Sequence, residues 1–522
     1  MAAELIPVPQ QLVDRIAIDK LTNTVFADKR SAGDPLLLTW QSRNRSVGHA
    51  FTIKAVDVDE LAKLRSGGLR VVADEDVDMR VRATAVELIQ EAAAYGASDI
   101  HLMARGEHTE VQVEIKGGLR VLARKTQAEG EALMRAIYQG IAKTRDSSYN
   151  PLDFQNAQIP GDALPLDAGL TSVRIVRGPC YPEAKGGAFM TLRLQYSAVK
   201  PDLEGHVRKP LALPRLPEGT LRLARMGWSE SQVAKLQTLM DAPSGMIIFT
   251  GPVGSGKTTS LYEAMKESAR SKPQRRQVSV EDPVEYPMDW AVQMAVTGAR
   301  NDVETGAAYR ERVRVALRMA PHVILLGELR GPDVAVAALE AALTGHQVLT
   351  TMHVTDPFLF VGRLELMDRV RMDRRVFCDH KTIRGVIAQR LLPKLCPHCS
   401  ILIRNKPQQL SDRMLSALSS WGDLSKARVQ GPGCDQCGHD GTIGRFSVTE
   451  VVVMNAAVMR DFLEHGSEIA RDNYRASAGA DPSMLQTSIQ HVLAGSVDPR
   501  AVEDKVDLIE PLKPESIYAY TV

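Results

Sequence analysis

One stretch constrains this chain more than any other: Gly251-Pro252-Val253-Gly254-Ser255-Gly256-Lys257-Thr258, which fits the pattern G-x-x-x-x-G-K-[ST]. Before it, Met246-Ile247-Ile248-Phe249-Thr250 is a short apolar run that predicts a buried parallel strand. After it, residues 257–270 contain no Gly or Pro and predict a helix. A strand that feeds a glycine loop into a helix aims several backbone N–H groups at one point. With the positive end of the helix dipole behind them, a polyphosphate can be held largely by main chain. Gly251 and Gly256 permit the tight backbone, and Gly254, Ser255 and Thr259 complete the expected phosphate-binding set. Lys257 is expected to reach the β- and γ-phosphates, and the Thr258 hydroxyl to bind Mg²⁺. The pattern alone recurs by chance; strand before and helix after make it specific.

The 522 residues are enough for about three or four domains of the usual size. Lys and Arg total 64 against 63 Asp and Glu, so the net charge of +1 gives no global pull toward nucleic acid or an anionic membrane. No apolar run approaches the roughly 18 residues of a membrane-spanning helix, and the first residues lack the layout of a secretory signal. These features predict a soluble, cytoplasmic protein that meets a membrane only through partners. Four of the six cysteines form two Cys-x-x-Cys pairs, which fits a metal site in a reducing compartment better than a disulfide framework. Cys180 and Cys378 read as small buried hydrophobes.

Five segments are expected in chain order. Residues 1–75 read as a small α/β docking domain, with a strand at Pro35-Leu36-Leu37-Leu38-Thr39-Trp40 and a helix from Asp57 that stops at Gly67-Gly68. Residues 76–198 read as an α+β domain with an antiparallel sheet. Its helix ends at Gly96, and Val111, Val113 and Ile115 alternate with polar residues as in a half-buried strand. Residues 199–219, with Pro201, Pro210, Pro214 and Pro217, read as a stiff exposed linker. Residues 220–385 alternate strands and helices, which predicts a parallel sheet with functional groups at the strands' C-terminal ends. Residues 386–522 read as helical apart from the cysteine region at 391–447. The expected fold class is therefore α/β, a P-loop (RecA-like) domain preceded by α+β domains and followed by a helical region with a metal lobe.

Phosphoryl transfer to water needs a metal site, a group that orients or deprotonates the water, and cations for the developing charge. Glu328 follows the apolar run Val323-Ile324-Leu325-Leu326, as expected of an acid that holds Mg²⁺ through water. Glu281 ends another strand and can serve as general base, with Asp282 and Glu285 as competitors. His346 and His353 bracket a strand an odd number of residues apart, so an ideal strand points them to opposite faces. One could sense the γ-phosphate while the other secures a loop, although a lone histidine is more often structural. Arg310, Arg314 and Arg318 line one helix face, which is either a solvated face or a contact with a neighbouring subunit. Cys396, Cys399, Cys434 and Cys437 make C-x₂-C…C-x₂-C, four thiolates suited to a tetrahedral structural zinc with no position left open for catalysis; His398 is a lesser option as ligand.

Together these motifs resemble the secretion ATPases of type II secretion and type IV pilus assembly, over about residues 80–455. Gly96-Ala97-Ser98-Asp99-Ile100-His101 is similar to the family's second N-terminal domain, and residues 251–258 to its Walker A loop. Val280-Glu281-Asp282-Pro283-Val284-Glu285 resembles its Asp box, with Glu281 at the catalytic glutamate, and Gly327-Glu328-Leu329-Arg330 its Walker B. Ala341 to His346 and on to His353 resembles its His box, and Gln389-Arg390-Leu391 with the four cysteines its tetracysteine zinc lobe. The resemblance implies a homo-hexamer that hydrolyses ATP with Mg²⁺, in which Arg174 and Arg193 match the arginines that reach the γ-phosphate and both histidines take part. It also implies an inner-membrane platform protein and pilus or secretion machinery as partners. Gly331 stands where the family usually has Asp, and Ala320-Pro321-His322 where it usually reads Asp-Pro-Asp. Those departures are similar to the bundle-forming or plasmid-encoded thin-pilus branch. A retraction motor is disfavoured, because such proteins are shorter and lack the cysteine lobe, and Glu281 and Glu328 argue against a non-hydrolysing scaffold. A DNA-translocating ATPase is the alternative from another class, but near-neutral charge and the lack of an aromatic–basic stacking stretch argue against direct nucleic-acid binding.

Overall fold

The computed structural model describes residues 8–9, 12, 15–19, 22–46, 48–66, 75–197, 209–297 and 301–512. The chain divides into two compact units, one of Met1–Gln90 with Ala132–Ile141 and one of Glu91–Glu131 with Ala142–Val522.

In the first unit, β1 (Ile16–Asp19), β2 (Thr24–Asp28) and β3 (Thr52–Val56) form a three-stranded sheet, antiparallel between β1 and β2 and parallel between β2 and β3. Leu12, Ile16, Val25, Leu37, Trp40 and Phe51 make its core. The expected strand at residues 35–40 is instead the start of the helix Pro35–Ser46. Its apolar run hid the start signal: the Asp34 carboxylate accepts the N–H of Leu36 at 2.8 Å, and Pro35 at the first helical position lacks a donor to waste. The helix Val58–Ser66 has acids in its first turn, as the sequence predicts; Gly67 and Gly68 lie outside the described residues.

The second unit begins with a seven-stranded antiparallel sheet, in the order β6-β5-β4-β10-β9-β8-β7. Its strands are β4 (Asp99–Ala104), β5 (His108–Ile115), β6 (Gly118–Thr126), β7 (Thr144–Arg145), β8 (Gln155–Pro160), β9 (Leu170–Pro179) and β10 (Ala188–Tyr196). β5 and β6 join through Lys116 and Gly117, both at positive φ, the two-residue turn whose twist suits a hairpin. The alternation in β5 predicts one wet face, yet Glu110, Gln112 and Glu114 are buried as well. Two of the three are paired: Gln112 donates to Glu110 at 2.7 Å, and Arg124 pairs with Glu110 at 3.1 Å. Glu114 Oε2 has no hydrogen-bond partner and only the His101 ring at 3.9 Å; alternation reveals neither the pairing nor the burial.

A second seven-stranded sheet carries the glycine loop. Its strands are β11 (Gly245–Thr250), β12 (Gln277–Glu281), β13 (Val292–Ala295), β14 (Val323–Leu326), β15 (Gln347–Met352), β16 (Ile383–Leu395) and, after the short pair β17 (Ile401–Leu402) and β18 (Arg428–Val429), β19 (Thr442–Val453). The order is β13-β12-β14-β15-β11-β16-β19, parallel throughout except for the last pair. β11, β14 and β15 are buried along their whole length, which is why β11 and β14 read as nearly unbroken apolar runs; β15 buries Gln347, Thr350 and Thr351 as well. Helices such as Lys257–Ser271 and Pro332–Leu343 pack against this sheet. Met103, Val176, Cys180 and Phe189 of the antiparallel sheet share one buried cluster with Val278, Val292 and Met294.

The region after residue 385 is not helical at its start. β16 and β19 form a long hairpin that completes the sheet beside β11, and the strand Ile383–Leu395 runs through the expected boundary at 385. Val386, Ile387 and Ala388 are fully buried, so the strand shows no alternation and is easily mistaken for a buried helix. The cysteine lobe lies between the hairpin's two strands, and the helices Met484–Leu493 and Pro499–Lys505 close over it: Met484, Ile489, Val492 and Val502 share a core with Ile403, Met414, Leu418 and Val429.

Candidate nucleotide site and cysteine cluster

The C-terminal ends of β11, β12, β14 and β15 lie level with one another, so the loops leaving these strands meet at one edge of the sheet. The result is a cavity of about 460 Å³ lined by the glycine loop, Lys257, Thr258, Thr259, Glu281, Glu285, Glu328 and His353, among others. Gly254 and Gly256 have φ of +75° and +84°, backbone that favours glycine. A Cβ on Gly251 would also come within 2.5 Å of the Gln389 carbonyl, so the loop is closely seated on β16. The Lys257 ammonium donates to the carbonyls of Gly251 and Pro252, both at 2.8 Å, and burial holds its pKa below the usual lysine value. Ser255 is 3% exposed, and its Oγ has no hydrogen-bond partner. A buried, unpartnered hydroxyl at the centre of such a loop suits a phosphate oxygen.

Across the cavity, Glu328 is held from two sides, by His353 Nε2 at 3.1 Å and by Arg330 Nε at 2.9 Å. His353 Nδ1 sits 3.1 Å from the Gly251 carbonyl, so this histidine spans from the loop to the acid. Glu281 is buried and accepts hydrogen bonds from Ser279 Oγ and from Gln293 Nε2, the latter at 3.0 Å. Burial raises its pKa, and those two donors pull it back in part. Glu328 also lies close enough to Lys257 to oppose the lysine's downward shift.

Three expected site residues lie elsewhere. His346 precedes the other end of β15, where its ring contacts the Ala341 carbonyl at 3.0 Å; a six-residue strand separates it from the loop. Arg174 and Arg193 face each other across β9 and β10 and line a separate cavity of about 440 Å³, with Arg145 and Arg318. Arg193 donates to Asp99 at 2.9 Å. Within one chain, then, neither arginine nor His346 reaches the glycine loop. Of the arginine row, Arg310 pairs with Asp333 at 3.3 Å and Arg318 donates to Asn156.

Other residues at or behind the cavity take part through contacts that the motifs did not assign to it. Tyr262 and Tyr286 pack ring against ring at 5.2 Å beside the loop, and Tyr286 OH contacts Thr259 Oγ1 at 2.9 Å. Gln389 donates to the Ser255 carbonyl at 2.9 Å and accepts from Ser260 at 2.7 Å, bracing the loop from β16. Leu391 and Arg445, from the two strands that carry the cysteine lobe, also line the cavity. Only the pairing of β16 with β11 brings them there, and a sequence pattern does not encode that.

The sulfurs of Cys396, Cys399, Cys434 and Cys437 lie within 4.8 Å of one another, with neighbouring pairs at 3.8–3.9 Å. Four thiolates at Zn–S distances of about 2.3 Å form a tetrahedron with edges of about 3.8 Å. Backbone N–H groups of Cys434 and Gly441 both point to Cys437 Sγ at 3.2 Å, donors that favour its thiolate form. This set fits a zinc ion.

Comparison with known proteins agrees with this reading of the loop. Residues 211–504, more than half of the chain, match the family described as type II/IV secretion system protein. The chain belongs to that family. As a member of it, with a Walker-type loop intact, it is an ATPase. The putative type II secretion system protein E of Escherichia coli (strain K12) is 28% identical over 84% of this chain and 81% of its own length. The type II secretion system protein HxcR of Pseudomonas aeruginosa is 30% identical over 78% of this chain and 74% of its own. The type IV pilus assembly ATPase PilB of Thermus thermophilus is 26% identical over 79% of this chain, which spans 42% of that relative. Among solved structures, the pilus retraction motor PilT with bound ADP is similar at 20% identity and a TM-score of 0.39, over 83% of this chain and 98% of that one. No helix among the described residues is long and apolar enough to cross a membrane.

Proposed function

We propose that this secretion-family ATPase works as a homo-hexamer that hydrolyses ATP to ADP and phosphate, and that the resulting motion drives assembly of a pilus or of the pilus-like fibre of a secretion system. The observation that carries this reading is that the glycine loop faces two acids, Glu281 and Glu328, and one histidine across the same cavity. The loop's N–H groups and Lys257 bind the β- and γ-phosphates. Thr258 and Glu328 would hold Mg²⁺, which neutralises charge on the phosphate oxygens. Glu281 takes the proton of the attacking water; its raised pKa makes it a better base near neutral pH than an exposed carboxylate. His353, bridging Glu328 and the loop, orients the acid toward the metal position.

Arg174 and Arg193 are proposed to contribute from the ring. Two guanidinium groups directly opposite each other on neighbouring strands repel; Asp99 offsets Arg193 from one side, and an anion between the two arginines would relieve the remaining cost. A γ-phosphate presented when subunits or lobes close supplies such an anion. Zinc at the four cysteines is proposed to hold the lobe, and an inner-membrane platform protein is the proposed recipient of the motion.

The test is ATP turnover of the wild type beside Glu281→Gln and Lys257→Ala, with and without DNA, on protein whose mass in ATP and Mg²⁺ is followed by light scattering. The expected result is hexamer-sized particles, a loss of about 10²–10⁴-fold in kcat for Glu281→Gln, and no stimulation by DNA. Wild-type turnover by Glu281→Gln overturns the base assignment. Strong stimulation by DNA favours the translocase reading instead.

A further inference from the structure

Gln293 lies on the edge strand β13, 1% exposed, where it pairs in register with Ser279 of β12. Every polar atom of its carboxamide is engaged. Nε2 donates to Glu281 Oε1 at 3.0 Å and to the Tyr286 carbonyl at 2.9 Å, while Oε1 accepts the Met288 N–H at 2.7 Å. One neutral side chain thus holds the acid at one end and, at the other, the segment of the cavity wall that carries Tyr286 and Met288.

The strand beneath Gln293 is itself fixed from outside. Its outward carbonyls recur at every second residue, as strand geometry dictates. Ala291 accepts from Arg105 Nη1 at 3.1 Å, Gln293 from the Tyr181 N–H at 2.8 Å, and Ala295 from Arg312 Nε at 2.9 Å. Arg105 and Tyr181 belong to the antiparallel sheet and its loops, so that sheet covers the edge that β13 would otherwise leave open.

We propose that Gln293 is a positioning residue for hydrolysis: it orients the Glu281 carboxylate, and it does so from a strand whose place is set by the docked antiparallel sheet. This rests on Glu281 being the base. An amide in this place has a chemical advantage over a charged group, because it donates to the working carboxylate without adding or removing charge beside it. Its donation favours the ionised form, so losing it raises the acid's pKa further above the usual range. The other titratable or charged groups lining the cavity are Lys257, Tyr262, Asp282, Glu285, Tyr286, Tyr309, Glu328, Arg330, His353 and Arg445, and they are unchanged in a Gln293 variant.

The experiment compares Gln293→Met, which keeps length and loses the donor, with wild type, Glu281→Gln and the double variant in the full chain. Readouts are kcat, affinity for a fluorescent ATP analogue, and the pH profile of kcat. The expected result is a kcat loss of about 10-fold or more, analogue affinity within about 2-fold, and an acid limb displaced upward by about one pH unit. In the Glu281→Gln background the same substitution is expected to add nothing, since there is no carboxylate left to orient. An equal loss in both backgrounds, or an unmoved pH profile, overturns the proposal. Gln293→Leu removes the same donor with a different apolar shape and is expected to displace the acid limb upward in the same way; it carries the test if the methionine variant does not fold. If Glu281→Gln itself turns over normally, the base assignment has failed; if Glu281→Gln is inactive while both Gln293 variants behave as wild type, only the role of Gln293 has.

Discussion

At the residue scale, burial sets the protonation of several acids in this chain, and two of them give opposite experiments. Glu281 must be ionised to accept a proton, so its raised pKa predicts turnover that rises with pH through an acid limb above the ordinary carboxylate range. Glu114 is pushed up to about 7 by burial, with Asp99 adding to the effect and Arg276 and Arg193 opposing it. A folded-state pKa above the unfolded one means that the fold favours the protonated acid. That contribution is fully present below the unfolded value of about 4.3 and is lost as pH rises through about 7. Glu114→Gln, neutral at every pH, is therefore expected to raise the melting temperature at pH 8.5 and not at pH 5. Thermal melts at both values check the sign. Lys257→Ala is expected to reduce ATP-analogue binding by at least about 10-fold, because the loop loses its only side-chain cation. The charged cavity residues could be picked out from strand-end acids and the glycine pattern. Gln293 could not: a neutral amide outside every motif gives no signal, and its importance lies in the partners that folding assembles around it.

At the element scale, the hairpin of β16 and β19 joins the cysteine lobe to the glycine loop. Gln389 on β16 holds the Ser255 carbonyl and the Ser260 hydroxyl, and Leu391 and Arg445 reach the cavity from the strands that lead into and out of the lobe. Cys396→Ser is expected to lose about one equivalent of zinc per chain and to weaken ATP-analogue binding, measured side by side by metal analysis and fluorescence titration. Unchanged affinity in a zinc-free, folded variant would separate the lobe from the loop. The parallel core was legible here, because β11 and β14 are short apolar runs between turn signals and β15 follows the same spacing, each leading into a functional residue. The hairpin was not, because strands buried on both faces lose the alternation that marks a strand. The helix Pro35–Ser46 misled for the converse reason: three leucines in a row look like a buried strand unless the capping Asp34 is weighed first.

For the molecule as a whole, the distance between Arg174 and Arg193 and the glycine loop is itself informative. If the two arginines act only when a ring closes, Arg174→Ala leaves binding of an ATP analogue to dilute protein unchanged but lowers turnover of the assembled hexamer by about 10-fold or more. Equilibrium titration at low concentration and turnover at high concentration distinguish these. An equal loss in both would place the arginine in a purely intrachain structural role. The antiparallel sheet of the second unit was readable from turn glycines and alternation, whereas the apposition of that sheet to the edge strand β13 depends on main-chain carbonyls, on which side-chain patterning is silent.

The shared core of the cysteine lobe and the final helices bears on how such a protein can be remodelled over generations. Leu395 and Thr442 are cross-strand partners, so the lobe leaves and re-enters the sheet at one point and looks removable as a cassette. Yet Met484, Ile489 and Val492 lie against Met414, Leu418 and Val429, so excising either piece alone strands greasy surface on the other. The two should therefore be inherited, or discarded, together. A chain lacking both residues 396–441 and everything after 483 is expected to stay more soluble than a chain lacking just one of them.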